Sequence, residues 1–246
     1  FVTETDVGVE AFQIDLTQEQ GVGSISRVTI SDTNIIEPTD ARALRVTNGD
    51  ISDNGDAGIE PNGQINAADK QYQVDDTTID NNGDTGVDLQ EVGLDLANGA
   101  AVTNNADGVV VDALDTADIT VDISGVEISD NTNDGVALDV NDANIENNLI
   151  EANDVGLDVA LDAESTITQN DIAANTIGLD VGATSDADLT VEANDFSSTE
   201  TDIASDDGGT FDATLNYFND QQGPSGANAA GVDDNVVYDP FLTESF

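Results

Sequence analysis

The feature that most constrains this chain is a motif, Ile-x-x-Asn followed by Gly, that returns about every 22 residues. It runs from Ile51 to Gly58, Ile79 to Gly86, Ile128 to Gly135, Ile150 to Gly156 and Ile172 to Gly178, and Asn104 to Gly108 supplies a sixth copy with Ala101 in the Ile place. The Asn positions are 54, 82, 104, 131, 153 and 175, spaced by 28, 22, 27, 22 and 22. A unit this short has no room for a strand and a crossover helix, which together need about 30 residues. It fits one turn of a solenoid whose equivalent strands stack in parallel, about 4.8 Å apart. The first and third positions after Gly are apolar in five copies: Val87 and Leu89, Val109 and Val111, Val136 and Leu138, Leu157 and Val159, Leu179 and Val181. That alternation turns both side chains to one face of a short strand. The earliest copy departs, with Ile59 followed by Pro61. A second series, Asn148-Leu-Ile150, Asn170-Asp-Ile172, Asn194-Asp-Phe196 and Asn216-Tyr-Phe218, carries the period onward.

The expected fold is therefore all-β, a right-handed parallel β-helix of roughly eight to ten turns. Gly is expected at its corners because it tolerates positive φ, with Asn as the next most permissive residue. Stacked Asn side chains would bond to one another or to neighbouring backbone. Residues 25–215 form the turns, residues 1–24 an N-terminal strand or cap, and residues 216–246 a C-terminal cap. Within the first of these caps, Val7, Val9, Phe12, Ile14 and Leu16 alternate as strands do, so this stretch closes the first turn or pairs with another subunit. The two longer spacings place extra residues in loops, one from Glu60 to Gln73 and one from Val110 to Ala117. Such loops are where solenoids commonly carry recognition, and equally often they are bland insertions.

Composition says where such a solenoid can work. Asp plus Glu total 52 against 4 Lys plus Arg, a formal charge of -48, and the acids are spread along the chain rather than gathered in a tail. A chain so charged repels itself in dilute buffer, but the Debye length shrinks to ~3 Å at molar ionic strength. The balance is that of a salt-loving, archaeal exterior protein, with Na⁺ or K⁺ screening it. It excludes nucleic acid, whose phosphates need cationic partners, and anionic membrane surfaces. No apolar run reaches the ~20 residues that span a bilayer, and no basic leader precedes Phe1, so a soluble extracellular or cell-surface product is expected, with no membrane insertion. The sequence has no His, Cys or Met, which removes disulfides, thiolate chemistry and the ligands copper and zinc prefer. No cofactor is required, and only oxygen-seeking cations such as Ca²⁺ remain plausible.

The closing segments, Asn216-Tyr-Phe-Asn-Asp220, Gly223-Pro-Ser-Gly226 and Asn235-Val-Val-Tyr-Asp-Pro-Phe-Leu242, carry a resemblance of their own. With the repeats, they make the chain resemble the right-handed parallel β-helix repeat family from about Ile25 to Leu242. This is the pectin-lyase-like group, which includes carbohydrate-active enzymes and copper-maturation-type periplasmic proteins. The family's terminus reads Asn-Trp-Trp-Gly, Gly-Pro and Tyr-Asp-Pro-Trp-Leu, and here Phe stands for Trp. The resemblance implies that this segment covers the last turn and blocks open-edge pairing. It implies a fold and not an activity, since the same solenoid hosts lyases, hydrolases, epimerases, adhesins and spikes.

Lyases of that group use Arg or Lys as base, and the cationic residues here are Arg27, Arg42, Arg45 and Lys70. For Arg42 and Arg45 a surface ion pair with nearby acids is the commoner fate. A hydrolase needs two carboxylates. Asp88, Asp158 and Asp180 fall two residues past Gly on the outward face, and Asp158 and Asp180 would sit about 5 Å apart on adjacent turns, the separation of a retaining glycosidase pair. Any stacked acids would show that separation. Cations could sit at Asp53 and Asp56 or at Asp206 and Asp207, although solvated Asp-rich turns have the same composition. Lys70 and Tyr72 mark the first loop as a possible binding surface for a cell-surface glycan. The two functions in competition are a structural or adhesive module of a surface layer, fibre or viral tail spike, self-associating through its ends, and a polysaccharide-binding or carbohydrate-active domain.

Overall fold

The computed structural model describes residues 23–26, 29–31, 43–60, 71–113, 119–161, 165–182, 189–205 and 211–245. Every strand among them pairs in parallel, and the chain winds through three sheets. The first sheet holds Gly23–Ser26, Ala43–Thr47, Gln71–Asp75, Gly93–Ala97, Thr120–Ser124, Asp142–Glu146, Ser165–Thr168 and Leu189–Glu192. The second holds Thr29–Ser31, Asp50–Ser52, Thr78–Asp80, Ala101–Thr103, Glu127–Ser129, Leu149–Glu151, Asp171–Ala173 and Asp195–Ser197. The third holds Thr85–Gln90, Asp107–Asp112, Asp134–Val140, Val155–Leu161, Ile177–Val181 and Thr201–Ser205. Among the described residues, six turns thus carry a strand on all three faces, and two earlier turns carry strands on the first and second.

Register turns the repeat into columns. Ile51, Ile79, Val102, Ile128, Ile150, Ile172 and Phe196 stack in the second sheet, all buried. Val74, Leu96, Ile123, Ile145, Ile167 and Val191 do so in the first, and Val87, Val109, Val136, Leu157, Leu179 and Ile203 in the third. β-Branched side chains suit a pleated surface. Each buried Val, Leu or Ile contributes about 1.5–3 kcal/mol of transfer free energy, which offsets the ordering of so short a turn.

Two buried Asn ladders run along this core. Asn131 shows the pattern: its backbone N–H and its Nδ2 both donate to Oδ1 of Asn153 one turn on, at 3.1 and 3.0 Å, and Nδ2 also donates to the Val102 carbonyl one turn back. The first ladder is Asn54, Asn82, Asn105, Asn131, Asn153 and Asn175. The second is Asn148, Asn170, Asn194 and Asn216. Asn104, expected in the first, is displaced from it by Asn105, and Val102 rather than Ala101 fills the Ile position.

Asn and Gly take the expected left-handed φ at several corners, among them Asn81, Asn104, Asn147, Gly99 and Gly125. The repeated Gly do not take positive φ. The left-handed residue is the one before each ladder Asn: Asp53, Asn81, Asn104, Asp130, Ala152 and Ala174 in the first ladder, and Asn147, Gln169, Ala193 and Leu215 in the second. The repeated Gly are required instead by close approach. A Cβ on Gly135 would lie 2.7 Å from the Gly156 carbonyl oxygen and 2.8 Å from Nδ2 of Asn153.

Candidate functional site

Connections of fixed and variable length sort onto different edges of the solenoid. From first to second sheet the chain needs two or three residues, such as Asn147 and Asn148, and from second to third it needs three or four from residue 81 onward. From third to first it ranges from Asn141 alone to the seven positions between Asp112 and Thr120 and between Val181 and Leu189. Of the two loops expected from the long spacings, residues 61–70 of the first and 114–117 of the second lie outside the described residues. Lys70, Arg27, Arg42, Asp206, Asp207 and most of the N-terminal segment 1–24 lie outside the described residues. Tyr72, expected beside Lys70 as a binding residue, lies in a first-sheet strand with its side chain wholly inside the core, where burial pushes its phenol up. It offers no surface to a glycan.

Acidic side chains cluster on and beside the third sheet. Asp158 and Asp180 are register partners on adjacent strands, Asp158 exposed and Asp180 half-buried. Their column is not a long run of acids: it reads Asp88, Val110, Ala137, Asp158, Asp180, Ala204. Asp134 begins the neighbouring strand, Asp134–Val140. Partial burial, then the charges of Asp158, Asp107, Asp154 and Asp180, push its carboxyl up to about 6. Asp88 is raised in the same way, first by burial and then by Asp84, Asp112, Asp107 and Asp56. Asp53 and Asp56 are both exposed, and Asn81 donates from Nδ2 to Asp53 at 2.5 Å. Among the described residues no three acidic side chains converge as metal ligands would.

On the first sheet the outward column is Arg45, Gln73, Asp95, Asp122, Asn144 and Thr166. Burial and neighbouring acids raise Asp95 and Asp122, while Gln73 donates to Asp95 at 3.2 Å. Arg45 forms the expected surface ion pair, with Asp75 at 3.3 Å.

A residue that pattern reading missed is Asp202. It occupies the position that Gly178 holds one turn earlier, and its side chain is fully buried. Its carboxylate accepts the backbone N–H of Ser198 at 3.0 Å, Ala230 at 3.1 Å and Gly231 at 3.3 Å, tying the C-terminal segment to the last full turn. Burial raises it and these bonds lower it, with burial the larger. The only sequence signal is the break in the glycine column. Above it, Phe196 and Phe218 stack at 5.7 Å, Tyr238 meets Phe218 edge-on at 6.4 Å, and Val236–Val237 pairs with Phe211–Asp212.

The family described as periplasmic copper-binding protein (NosD) matches residues 17–232 of this chain. Among curated proteins and among solved structures no match is found.

Proposed function

Because the chain belongs to the NosD family, whose members are right-handed parallel β-helices of pectin-lyase-like fold, we propose that it is a non-enzymatic structural or adhesive rod. It works outside the cytoplasm, on the exterior of a salt-loving cell or virion. Periplasmic placement is what the family description states, and among the described residues no helix is long and apolar enough to cross a membrane. The observation that carries the reading is the uniformity of the turns. Six successive turns repeat the same inward aliphatic columns, one Asn ladder runs through five of them, and outward pairs such as Asn144 and Thr166 or Asp158 and Asp180 bear short side chains. A stack of this kind sets distance and stiffness, and repeats one surface along its length. The variable edge between third and first sheets is where recognition of a glycan or a second copy belongs.

The test is incubation with a panel of neutral and acidic polysaccharides in about 3 M salt, where charge is screened, alongside electron microscopy of the secreted material. The rod reading expects no released oligosaccharide and assemblies visible as oligomers or fibres. A monodisperse monomer at all protein concentrations, or sugar release, counts against it.

A second reading, a carbohydrate-active domain, is favoured by one arrangement. Asp134, raised to about 6, would serve as the acid, and Asp158 or Asp180 as the second carboxylate. Release of oligosaccharide that disappears in Asp134→Asn and Asp158→Asn would establish it.

Copper, which the family description names, does not fit the donors present. The whole sequence lacks His, Cys and Met, and the described acids do not converge in threes.

A further inference from the structure

The misfit extends from the residue types to their geometry, and we infer that these 246 residues form a NosD-family β-helix without a copper site, for Cu(I) and Cu(II) alike. Cu(I) is selected by thiolate and thioether sulfur and by imidazole, and no position in the sequence supplies one. The remaining donors are amides, carboxylates and hydroxyls. The interior amides are already engaged. Oδ1 of Asn153 accepts two bonds from Asn131, its Nδ2 donates both to Oδ1 of Asn175 and to the Ile128 carbonyl, and the same wiring recurs at Asn170 and Asn194. A copper ion entering the core would have to break that ladder and leave buried amides unpaired.

The outward carboxylates are arranged against chelation. Among the described residues, register sets them at most two at a time. Asp107 lies beside Asp134, between Thr85 and Val155; the other pairs are Asp95 with Asp122, Asp112 with Asp139, Asp158 with Asp180, and Asp171 with Asp195. Each pair is then interrupted along its column, by Gln73 and Asn144, by Gln90 and Ala160, by Ala137 and Ala204, and by Leu149 and Tyr217. Two carboxylates on neighbouring strands offer oxygen alone, without the imidazole nitrogen that suits Cu(II) in its tetragonal geometry. They attract any cation through charge alone, so copper there exchanges with Ca²⁺.

The experiment uses the full chain in molar sodium sulfate, because chloride complexes copper. Cu(I) is offered in competition with the chromogenic chelator bicinchoninate, and Cu(II) sulfate is followed by electron paramagnetic resonance. The expected result is that the chelator retains all the Cu(I). The Cu(II) signal should match that of weakly held aqueous copper, without nitrogen splitting, and tenfold excess Ca²⁺ should release it. One equivalent of Cu(I) withheld from the chelator, or a saturable Cu(II) signal that survives the Ca²⁺, overturns the inference. The rod reading stands or falls separately, on the polysaccharide and microscopy results.

Discussion

At each corner that carries a ladder Asn, two adjacent residues divide the work. One bends the backbone into the left-handed region and the next, an Asn, fills the space inside the bend. Ala152, at φ 59°, precedes Asn153. A left-handed L-residue costs roughly 1–2 kcal/mol, whereas Gly adopts that conformation freely. Ala152→Gly is thus expected to stabilise the protein by up to about 1 kcal/mol, read as a higher melting temperature; a lower one would mean the methyl packs usefully. The partner substitution has the opposite sign. Asn153→Ala removes the acceptor for two Asn131 donors and the donor to Asn175, and should cost about 2–4 kcal/mol. Gly135→Ala should be at least as damaging, because backbone rather than a flexible side chain stands in the way. This residue logic was half legible in the sequence. The period gave away the Asn and Gly columns, but in the Asn104-Asn105 doublet both residues suit either role. Only the pairing of Ala101–Thr103 with its neighbours decides between them.

The three sheets share a backbone plan but differ in how they hold charge, and pH separates them. Asp134 and Asp195 are raised to about 6, and Asp88, Asp95, Asp122 and Asp202 are raised as well, each first by burial. Between about pH 4 and pH 6 the folded chain therefore binds more protons than the unfolded one, so stability falls as pH rises through that window. Asp220, lowered by its hydrogen bonds, acts in the opposite sense and only below the usual Asp range. The melting temperature should accordingly rise when pH drops from 7 to 5, and Asp134→Asn should flatten that slope; a fall over this range would refute the assignment. At the C-terminal end, Asp202→Ala should release residues 230–231, seen as faster amide exchange there and at Ser198, while exchange in Val155–Leu161 stays unchanged. Neither Asp134 nor Asp202 stands out in the sequence. What distinguishes them is partial or full burial, and an acidic chain offers many Asp from which pattern alone cannot pick. Tyr72 shows the converse: proximity to a loop suggested exposure, and strand alternation put it inside.

For the whole molecule the question is how a chain with a formal charge of -48 stays wound. The repeat that stacks Val and Leu inward could have stacked Asp outward without interruption. The registers show shorter runs, because neutral residues such as Gln73, Asn144, Ala137 and Ala204 break the columns. Each remaining adjacent pair repels by roughly 0.8 kcal/mol at about 5 Å in water, and several such pairs together approach the 5–15 kcal/mol that typically separates folded from unfolded states. Screening removes most of that repulsion, since the Debye length at 1 M is ~3 Å, shorter than the strand spacing. The part of the cost that comes from burial does not screen. Stability should therefore climb steeply as salt rises toward ~1 M and then flatten, with the raised carboxyls still raised on the plateau. Thermal melts in NaCl from about 0.1 to 3 M test this, at ~2–4 °C for each kcal/mol recovered. A melting temperature independent of salt would show that the interrupted columns alone suffice. A climb that continues undiminished above 1 M would point to ion exclusion and packing of the aliphatic core, because the pairwise repulsion is by then already spent.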